Sequence, residues 1–187
     1  MKAVVIINGR ARAGKDKFIT YVSHHTPVYN YSSVESIKAI STLYFGYNDK
    51  DKTDKDRKFL SDFKKLVTDY CEYPLQCIMT RYKEFIKSDA EILFIHCREP
   101  KEIDKIKDQI KDHVYTLCIL ADRPDMPKVD NNDSDINVYD YHYDFYIDNN
   151  GTKGELKDKA AKFLVDLRRT VEGQVINIRR VVEEGKE

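Results

Sequence analysis

Residues 4–16 of the chain read VVIINGRARAGKD, and this stretch decides the fold. It overlaps a nearly continuous apolar run over residues 2–8, which is typical of a strand buried on both faces of a parallel sheet. Gly9 and Gly14 bound the segment that follows, and apolar residues then recur at helical spacing over 18–22. The stretch therefore predicts a strand, a glycine-bounded loop and a helix.

The loop matches the phosphate-binding pattern G-x-x-x-x-G-K-[ST] except at its last position, where Asp16 replaces the hydroxyl residue. A phosphate loop needs free backbone N–H groups, glycines that permit close approach and a lysine for the outer phosphates. It must also follow a strand and open a helix, so that the helix dipole faces the anion. That context is present, with Lys15 as the lysine. Asp16 offers an oxygen of the kind that Mg²⁺ prefers, and it is the predicted metal ligand.

Two further arginines, Arg10 and Arg12, add positive charge inside the loop. The residues predicted to bind nucleotide phosphates are those of the loop and the first helical turn: Gly9, Arg10, Ala11, Arg12, Ala13, Gly14, Lys15, Asp16 and Lys17. The alternative is a glycine turn that joins a strand to a helix and leaves Lys15 exposed without a ligand.

Apolar runs of strand length alternate with helical stripes along the rest of the chain. The further predicted strands are 27–31, 91–97, 114–120 and 143–148. The predicted helical stripes cover 34–40, after Ser32 or Ser33 as a candidate N-cap, then 60–70, 75–85, 103–110 and 156–167. This alternation predicts an α/β fold of three layers, with about five parallel strands between helices.

The connection between the second and third strands is too long for a simple crossover. It spends roughly 55 residues on helices, whereas a crossover needs only about a dozen. Residues 33–88 are therefore predicted to be a helical insert that covers a ligand. The segment 122–142, rich in Pro, Asp and Asn, is predicted to be lid-like, and the tail 173–187 is ambiguous. We expect residues 1–187 to form one domain.

The composition disfavours several other classes of protein. Lys plus Arg equals Asp plus Glu at 32 each, so the net charge of zero argues against nucleic-acid and membrane-surface binding. No apolar stretch approaches the ~20 residues of a membrane span, and the chain is predicted to be cytoplasmic. The cysteines form no C-x-x-C pair, which disfavours a zinc site or redox motif. Cys97 and Cys118 lie in apolar runs and are predicted to be buried, reduced thiols.

The loop GRARAGKD resembles the G-x-x-x-x-G-K-D loop of phage-type deoxynucleoside monophosphate kinases, and it is similar to that of animal-type phosphomevalonate kinases. Both are P-loop kinases with an adenylate-kinase-like core, in which an Asp after the lysine is usual. FIHCREPKEI resembles the third-strand segment of this family, where Arg98 and Glu102 match its pattern. His96 departs from it, because the family commonly has an Asp there; Glu99 is the candidate substitute. The implied fold is that of P-loop NTPases.

The resemblance extends to YDFYIDNNGTKGEL, which is similar to the family's closing strand, turn and last helix. In the family that turn lies near the nucleotide base, which implicates Asn149, Asn150 and Gly151. Four nearby tyrosines have three interpretations, namely stacking on a base, packing in the core, or ordinary exposure at the surface: Tyr139, Tyr141, Tyr143 and Tyr146.

The resemblance implies transfer of a phosphoryl group from ATP, with Mg²⁺, to a (deoxy)nucleoside monophosphate. Lys15, Arg98 and Arg123 are the predicted catalytic residues; Arg98 follows a strand at the sheet edge where ligands bind in α/β folds. Three cations of the insert are predicted to hold the acceptor, although each is also readable as a solvated charge: Lys38, Arg57 and Arg81.

Two other functions stay open. The acceptor could be a non-nucleotide phosphorylated metabolite, because the loop alone does not define it. The protein could also be a catalytically inactive ATP-binding regulator, an interpretation that His96 favours. His96 itself is readable as a structural residue, a ligand or a proton carrier. The predicted assembly is a monomer or a homodimer.

Overall fold

A computed structural model describes residues 1–50, 53–124 and 137–173 of the chain. The strands are β1 (Ala3–Asn8), β2 (Val28–Ser32), β3 (Ile92–His96), β4 (Val114–Leu120) and β5 (Phe145–Asp148). The helices are α1 (Lys15–Ser23), α2 (Glu35–Phe45), α3 (Asp54–Cys71), α4 (Tyr73–Lys87), α5 (Pro100–Ile110) and α6 (Lys153–Val171), with a 3₁₀ turn at Asn137–Tyr139. Most of the predicted lid-like segment, and the tail beyond Gly173, lie outside the described residues.

The five strands form one parallel sheet in the order β2-β3-β1-β4-β5. All six residues of β1 are buried, as expected for the central strand of a sheet that is covered on both sides. The prediction of a three-layer α/β/α P-loop NTPase fold with about five parallel strands is confirmed. One predicted helix start is wrong: Ser32 ends β2, Ser33 is in a turn, and α2 begins after Val34 with no side-chain cap.

Helices α1 and α6 pack on one face of the sheet through an aromatic contact chain. The ring of Phe163 meets Phe18 edge-to-face at a centroid distance of 5.3 Å and Phe145 at 5.2 Å. All three belong to the main hydrophobic core, together with alternate residues of the strands. Helix α5 buries a stripe of isoleucines at helical spacing: Ile103, Ile106 and Ile110. Helices of this kind obtain most of their stability from such packing.

The thiols predicted to be buried are buried and form no disulfide. Cys97 and Cys118 are both free, and burial raises the pKa of the Cys118 thiol to about 12. The Cys118 thiol is therefore protonated and unreactive at neutral pH. Among the described residues, no helix has the length and apolar character needed to cross a bilayer.

Residues 31–88 form a second compact unit, built from α2, α3 and α4. It has its own small core around Ile37, Tyr47 and Leu60. Helix α3 begins with a reciprocal capping box, in which the Thr53 hydroxyl accepts the Asp56 N–H and the Asp56 carboxylate accepts the Thr53 N–H. Such boxes define a helix start because they satisfy two orphan amide donors.

A buried hydroxyl group, through its hydrogen bond to one carboxylate, makes the free energy of unfolding depend on pH. Thr26 Oγ1 donates to Glu91 Oε2 at 2.8 Å, and Arg168 Nη2 lies 3.3 Å from the same oxygen. The Thr26 bond, more than Arg168, lowers the pKa of Glu91. The unfolded chain therefore binds more protons between this lowered value and the ordinary value of about 4.3, so the free energy of unfolding falls as the pH falls through that window.

We expect Thr26→Val to flatten this dependence, since the carboxylate loses its hydroxyl donor, while Thr26→Ser retains it. Urea unfolding between about pH 3 and pH 6 measures the slope for both variants. An equally steep slope in Thr26→Val would contradict the assignment.

Candidate nucleotide-binding site

The carboxyl ends of the strands meet at one edge of the sheet. In the register of the sheet, Ile7 of β1 pairs with His96 of β3, and Asn8 pairs with Cys118 of β4. The loop from Gly9 to Gly14 leaves this edge from the central strand and leads directly into α1. The strand, loop and helix read from the sequence thus occur in the order and place that a phosphate loop requires.

Three residues of the loop adopt positive φ angles, namely Gly9 at 145°, Arg12 at 60° and Gly14 at 100°. The Ala13 N–H donates to Arg10 O at 3.1 Å and closes a turn between them. Gly14 is the N-cap of α1 and provides no side-chain cap. The helix therefore starts with backbone amides that no capping side chain satisfies, which is the usual condition for binding an anion.

The ammonium group of Lys15 lies over the loop. It donates to Gly9 O and, at 2.9 Å, to Arg10 O. These bonds hold the lysine charge against the loop backbone although Lys15 belongs to the first turn of the helix. The site thus combines a cation and helix N-terminal amides, which together favour a phosphate group.

Two glycines permit the close approach of other backbone and side-chain groups. A Cβ on Gly9 would lie 2.8 Å from Ile119 O, and a Cβ on Gly14 would lie 2.4 Å from Asn149 Nδ2. Both distances are shorter than a carbon atom tolerates. The loop is therefore packed tightly onto β4 and onto the turn after β5.

We expect Gly14→Ala to lower the free energy of unfolding by about 2–3 kcal/mol, because it combines an unfavourable φ with displacement of the Asn149 amide. Gly46→Ala is the matched control: Gly46 has a φ of 68°, and no atom would lie within 4 Å of its Cβ. The control should show only the ~1 kcal/mol cost of a left-handed alanine. Equal losses in urea unfolding would show that Gly14 is not tightly packed.

Asn149 and Arg123, both predicted from the resemblance, contact the loop from the neighbouring strand ends. Asn149 Nδ2 donates to Ala13 O at 2.8 Å. The Arg123 guanidinium donates to Arg12 O at 2.9 Å and also to Asn149 O. The structure therefore brings both residues into contact with the loop carbonyls. Whether they also contact nucleotide stays a prediction.

The side chain of Asn8 joins the loop to β3, a contact that sequence reasoning missed. Its Oδ1 accepts the Gly9 N–H at 2.8 Å, and its Nδ2 donates to Arg98 O at 3.1 Å and to the Tyr143 hydroxyl at 2.7 Å. Tyr143 in turn donates to Val138 O at 2.8 Å. This network places the backbone of Arg98 beside the loop entrance. A polar residue at the end of a buried apolar strand was the available signal.

His96 lies at the same edge and is bonded to a neighbour. Its Nε2 is 3.0 Å from Asn30 Oδ1 and 3.7 Å from Asp16 Oδ1. Burial, assisted by Lys15 and Arg98, lowers the pKa of His96 to about 4, while Asp16 opposes the shift. The imidazole is therefore neutral at neutral pH and supplies no negative charge in place of the family's Asp.

Asp16 fits the role of a magnesium ligand that shares its ion with phosphates and water. Its side chain is 92% exposed in the first turn of α1, next to Lys15. Among the described residues, no group of three or more His, Cys, Asp or Glu side chains gathers as a metal cage. Mg²⁺ is commonly bound through one or two carboxylates plus phosphate oxygens, and a single exposed carboxylate suits that mode.

Other predicted residues make local contacts. Asn150 holds the turn itself, since its Oδ1 accepts the Asp122 N–H at 2.7 Å and its Nδ2 donates to the Asp148 carboxylate. Gly151 is exposed beside it. The ammonium of Lys17 lies 5.0 Å from the centre of the Tyr21 ring.

The three cations predicted for the acceptor all belong to the second compact unit and form ion pairs there: Lys38 with Asp49 at 3.2 Å, Arg57 with Asp54 at 3.0 Å, and Arg81 with Glu84 at 2.8 Å. Arg81 also lies 5.5 Å from the centre of the Tyr31 ring. Exposed ion pairs of this kind contribute little to stability. Their role in acceptor binding stays a prediction.

Three of the four tyrosines pack against one another, while Tyr139 is 42% exposed. Tyr143 is buried and meets Tyr141 and Tyr146 edge-to-face, at 5.1 Å and 5.7 Å. The Tyr141 hydroxyl donates to Asp104 at 2.7 Å, and the Tyr139 hydroxyl lies 3.5 Å from Ala121 O. For Tyr141, Tyr143 and Tyr146, these contacts favour the packing interpretation over base stacking.

Solved structures resemble this chain at low sequence identity. TT1252 from Thermus thermophilus is 13% identical, with a TM-score of 0.52 over 89% of this chain and 98% of its own. The APS kinase CysC of Mycobacterium tuberculosis, in complex with AMPPNP and APS, is 10% identical, with a TM-score of 0.47 over 90% and 98%. A gluconokinase from Sinorhizobium meliloti 1021 is 14% identical, with a TM-score of 0.45 over 92% and 94%. The likeness to TT1252 shows the fold alone.

No protein-family model matches the chain, and no curated protein matches it in sequence.

Proposed function

We propose that this protein is an ATP-dependent phosphotransferase whose acceptor is a (deoxy)nucleoside monophosphate. The observation that carries the proposal is the position of Lys15. Its ammonium is held against Gly9 O and Arg10 O in a glycine-bounded loop, at the start of a helix without a side-chain cap. This combination suits the β- and γ-phosphates of a nucleoside triphosphate.

The chemistry asked of such a site is mainly positioning and charge stabilisation, since phosphoryl transfer needs little covalent help from the protein. Lys15 and the loop amides hold the transferring group and its neighbour. Arg98 follows β3 beside the loop entrance and neutralises charge that develops on the phosphoryl oxygens. The neutral imidazole of His96 adds no repulsion toward an anionic substrate.

A magnesium ion belongs to this proposal, with Asp16 as its protein ligand. When bound, it would offset the negative charge of the phosphate groups, with the Asp16 carboxylate as the group that would hold it. The acceptor would be held by cations of the 31–88 unit, for which Lys38, Arg57 and Arg81 are the candidates.

The assignment of a nucleotide acceptor rests on the resemblance of GRARAGKD and FIHCREPKEI to the phage-type kinases. A non-nucleotide phosphorylated acceptor fits the same loop. A binding protein without turnover is the third candidate, favoured by His96 where the family commonly has an Asp.

The test is ADP release from Mg-ATP against a panel of ribo- and deoxyribonucleoside monophosphates and of phosphorylated non-nucleotides. ADP formation that requires one or a few nucleotides supports the proposal and names the substrate. Dependence on a non-nucleotide alone would replace the acceptor class. ATP binding without acceptor-dependent ADP release would leave the binding-protein alternative.

A further inference from the structure

Residues that follow β4 and β5 contact the carbonyl groups of the loop. Arg123 donates to Arg12 O at 2.9 Å and to Asn149 O, and Asn149 Nδ2 donates to Ala13 O at 2.8 Å. We refer to Arg123 and Asn149 as the loop clamp. The clamp donates hydrogen bonds to two successive carbonyl groups of the loop, immediately before Gly14, the N-cap of α1.

These bonds fix the orientation of two peptide groups. In a trans peptide, the carbonyl and the following N–H point in roughly opposite directions. With Arg12 O turned to Arg123, the Ala13 N–H points the other way, where it donates to Arg10 O at 3.1 Å. With Ala13 O turned to Asn149, the Gly14 N–H points away from Asn149. The clamp therefore directs the Gly14 N–H toward the inner side of the loop, which is the side opposite the clamp.

The clamp is held firmly enough to impose this geometry. Asn149 is 8% exposed, and its backbone N–H donates to Leu120 O at 2.8 Å, which fixes it to the end of β4. Gly14 leaves no room for a Cβ beside the Asn149 amide. Arg12 has a φ of 60°, a strained value for a side-chain-bearing residue, and the bond from Arg123 to its carbonyl supports that conformation.

We propose that Arg123 and Asn149 are positioning residues, which act on the phosphate chain through the loop amides rather than by touching the nucleotide base or the transferring group. The proposal rests on the proposed function only in that the loop binds phosphate. It differs from the roles that the resemblance implies, in which the turn at Asn149 lies near the base and Arg123 contacts nucleotide or phosphoryl oxygens. Preorganised donors of this kind are effective because they need no rearrangement when the anion binds.

The test compares the binding of ATP and of inorganic tripolyphosphate, which has no base, by calorimetry. Asn149→Leu keeps the side-chain size but removes the donor, and Arg123→Gln removes the guanidinium. Both variants should weaken the binding of tripolyphosphate and of ATP by the same factor, about tenfold or more for one lost hydrogen bond to the loop. Arg123→Lys, which retains a donor, should recover part of the loss.

A matched control is Lys159→Met. Lys159 donates to Asp148 O at 3.0 Å at the same end of β5 without belonging to the clamp. The Lys159→Met variant should lose thermal stability without a loss of affinity for tripolyphosphate. The Gly14 amide resonance should also shift on tripolyphosphate binding in the parent protein, and by less in both clamp variants that remain folded.

Three outcomes would overturn the clamp proposal. Loss of ATP affinity with unchanged tripolyphosphate affinity would mean that these residues contact the base. Unchanged affinity for both ligands would remove any role in binding, and so would a parent protein that binds neither. A parent protein that binds both ligands but transfers no phosphoryl group would overturn the proposed function and leave the clamp intact.

Discussion

Lys15→Ala is expected to lower kcat for phosphoryl transfer by about 10²–10³-fold, the loss seen when one preorganised charge-stabilising donor is removed. The reason is the position of the Lys15 ammonium, which the Gly9 and Arg10 carbonyls hold at the loop. The alanine variant keeps the loop but loses the only lysine of its motif. Steady-state ADP formation at saturating Mg-ATP and acceptor measures the effect.

The control for this prediction is Lys162→Ala, which removes an exposed lysine of α6 and should leave kcat unchanged. Thermal unfolding of both variants separates lost chemistry from lost folding. A Lys15→Ala protein that is folded and retains more than about a tenth of the parent kcat would contradict the role of Lys15.

Phe163→Ala is expected to lower the free energy of unfolding by about 3–5 kcal/mol. Phe163 is 2% exposed and contacts the rings of both Phe18 and Phe145, so its removal leaves a cavity between α1, α6 and β5. Since the total stability of a domain is about 5–15 kcal/mol, this one change consumes a large share of it. Urea unfolding followed by circular dichroism measures the loss.

Val165→Ala is the matched control on the same helix. Val165 is 46% exposed, and its truncation should change the free energy of unfolding by less than about 1 kcal/mol. A loss in Phe163→Ala that is no larger than the loss in Val165→Ala would show that α6 does not pack on the sheet as described.

The sequence was sufficient to predict the sheet, because its three central strands, β1, β3 and β4, are short apolar runs buried on both faces. The run that ends at Asn8 and the run at Ile92–His96 were both recognisable in this way. The start of α2 was not. A serine before an apolar stripe is a common N-cap, but here Ser32 is still part of the extended strand, so the helix starts later, after Val34.

The phosphate loop is the part of the candidate site that a local sequence pattern predicts. The spacing of Gly9, Gly14 and Lys15 is a local pattern, and the strand before it defines the edge of the sheet where it lies. The contacts of Asn8 with Tyr143 and of Asn149 with Ala13 join residues more than a hundred positions apart. No local pattern encodes such pairs, because the order of the strands in the sheet decides which strand ends become neighbours.

His96 shows a second limit of sequence reasoning. A histidine after an apolar strand is compatible with a ligand, a proton carrier or a structural role. Burial of the ring, together with the nearby charges of Lys15 and Arg98, lowers its pKa to about 4 and leaves it neutral, and Asn30 is its hydrogen-bond partner. The burial of a side chain and the charges around it are properties of the folded chain.

The most direct test of the proposed transfer is ³¹P NMR of the protein with Mg-ATP and the nucleoside monophosphate that best stimulates ADP release. If the protein transfers the phosphoryl group, the γ-phosphate resonance of ATP is lost as new α- and β-phosphate resonances of the acceptor diphosphate appear, in equal amounts. Release of inorganic phosphate alone, or an ATP spectrum that stays unchanged with every acceptor, would contradict the proposed transfer.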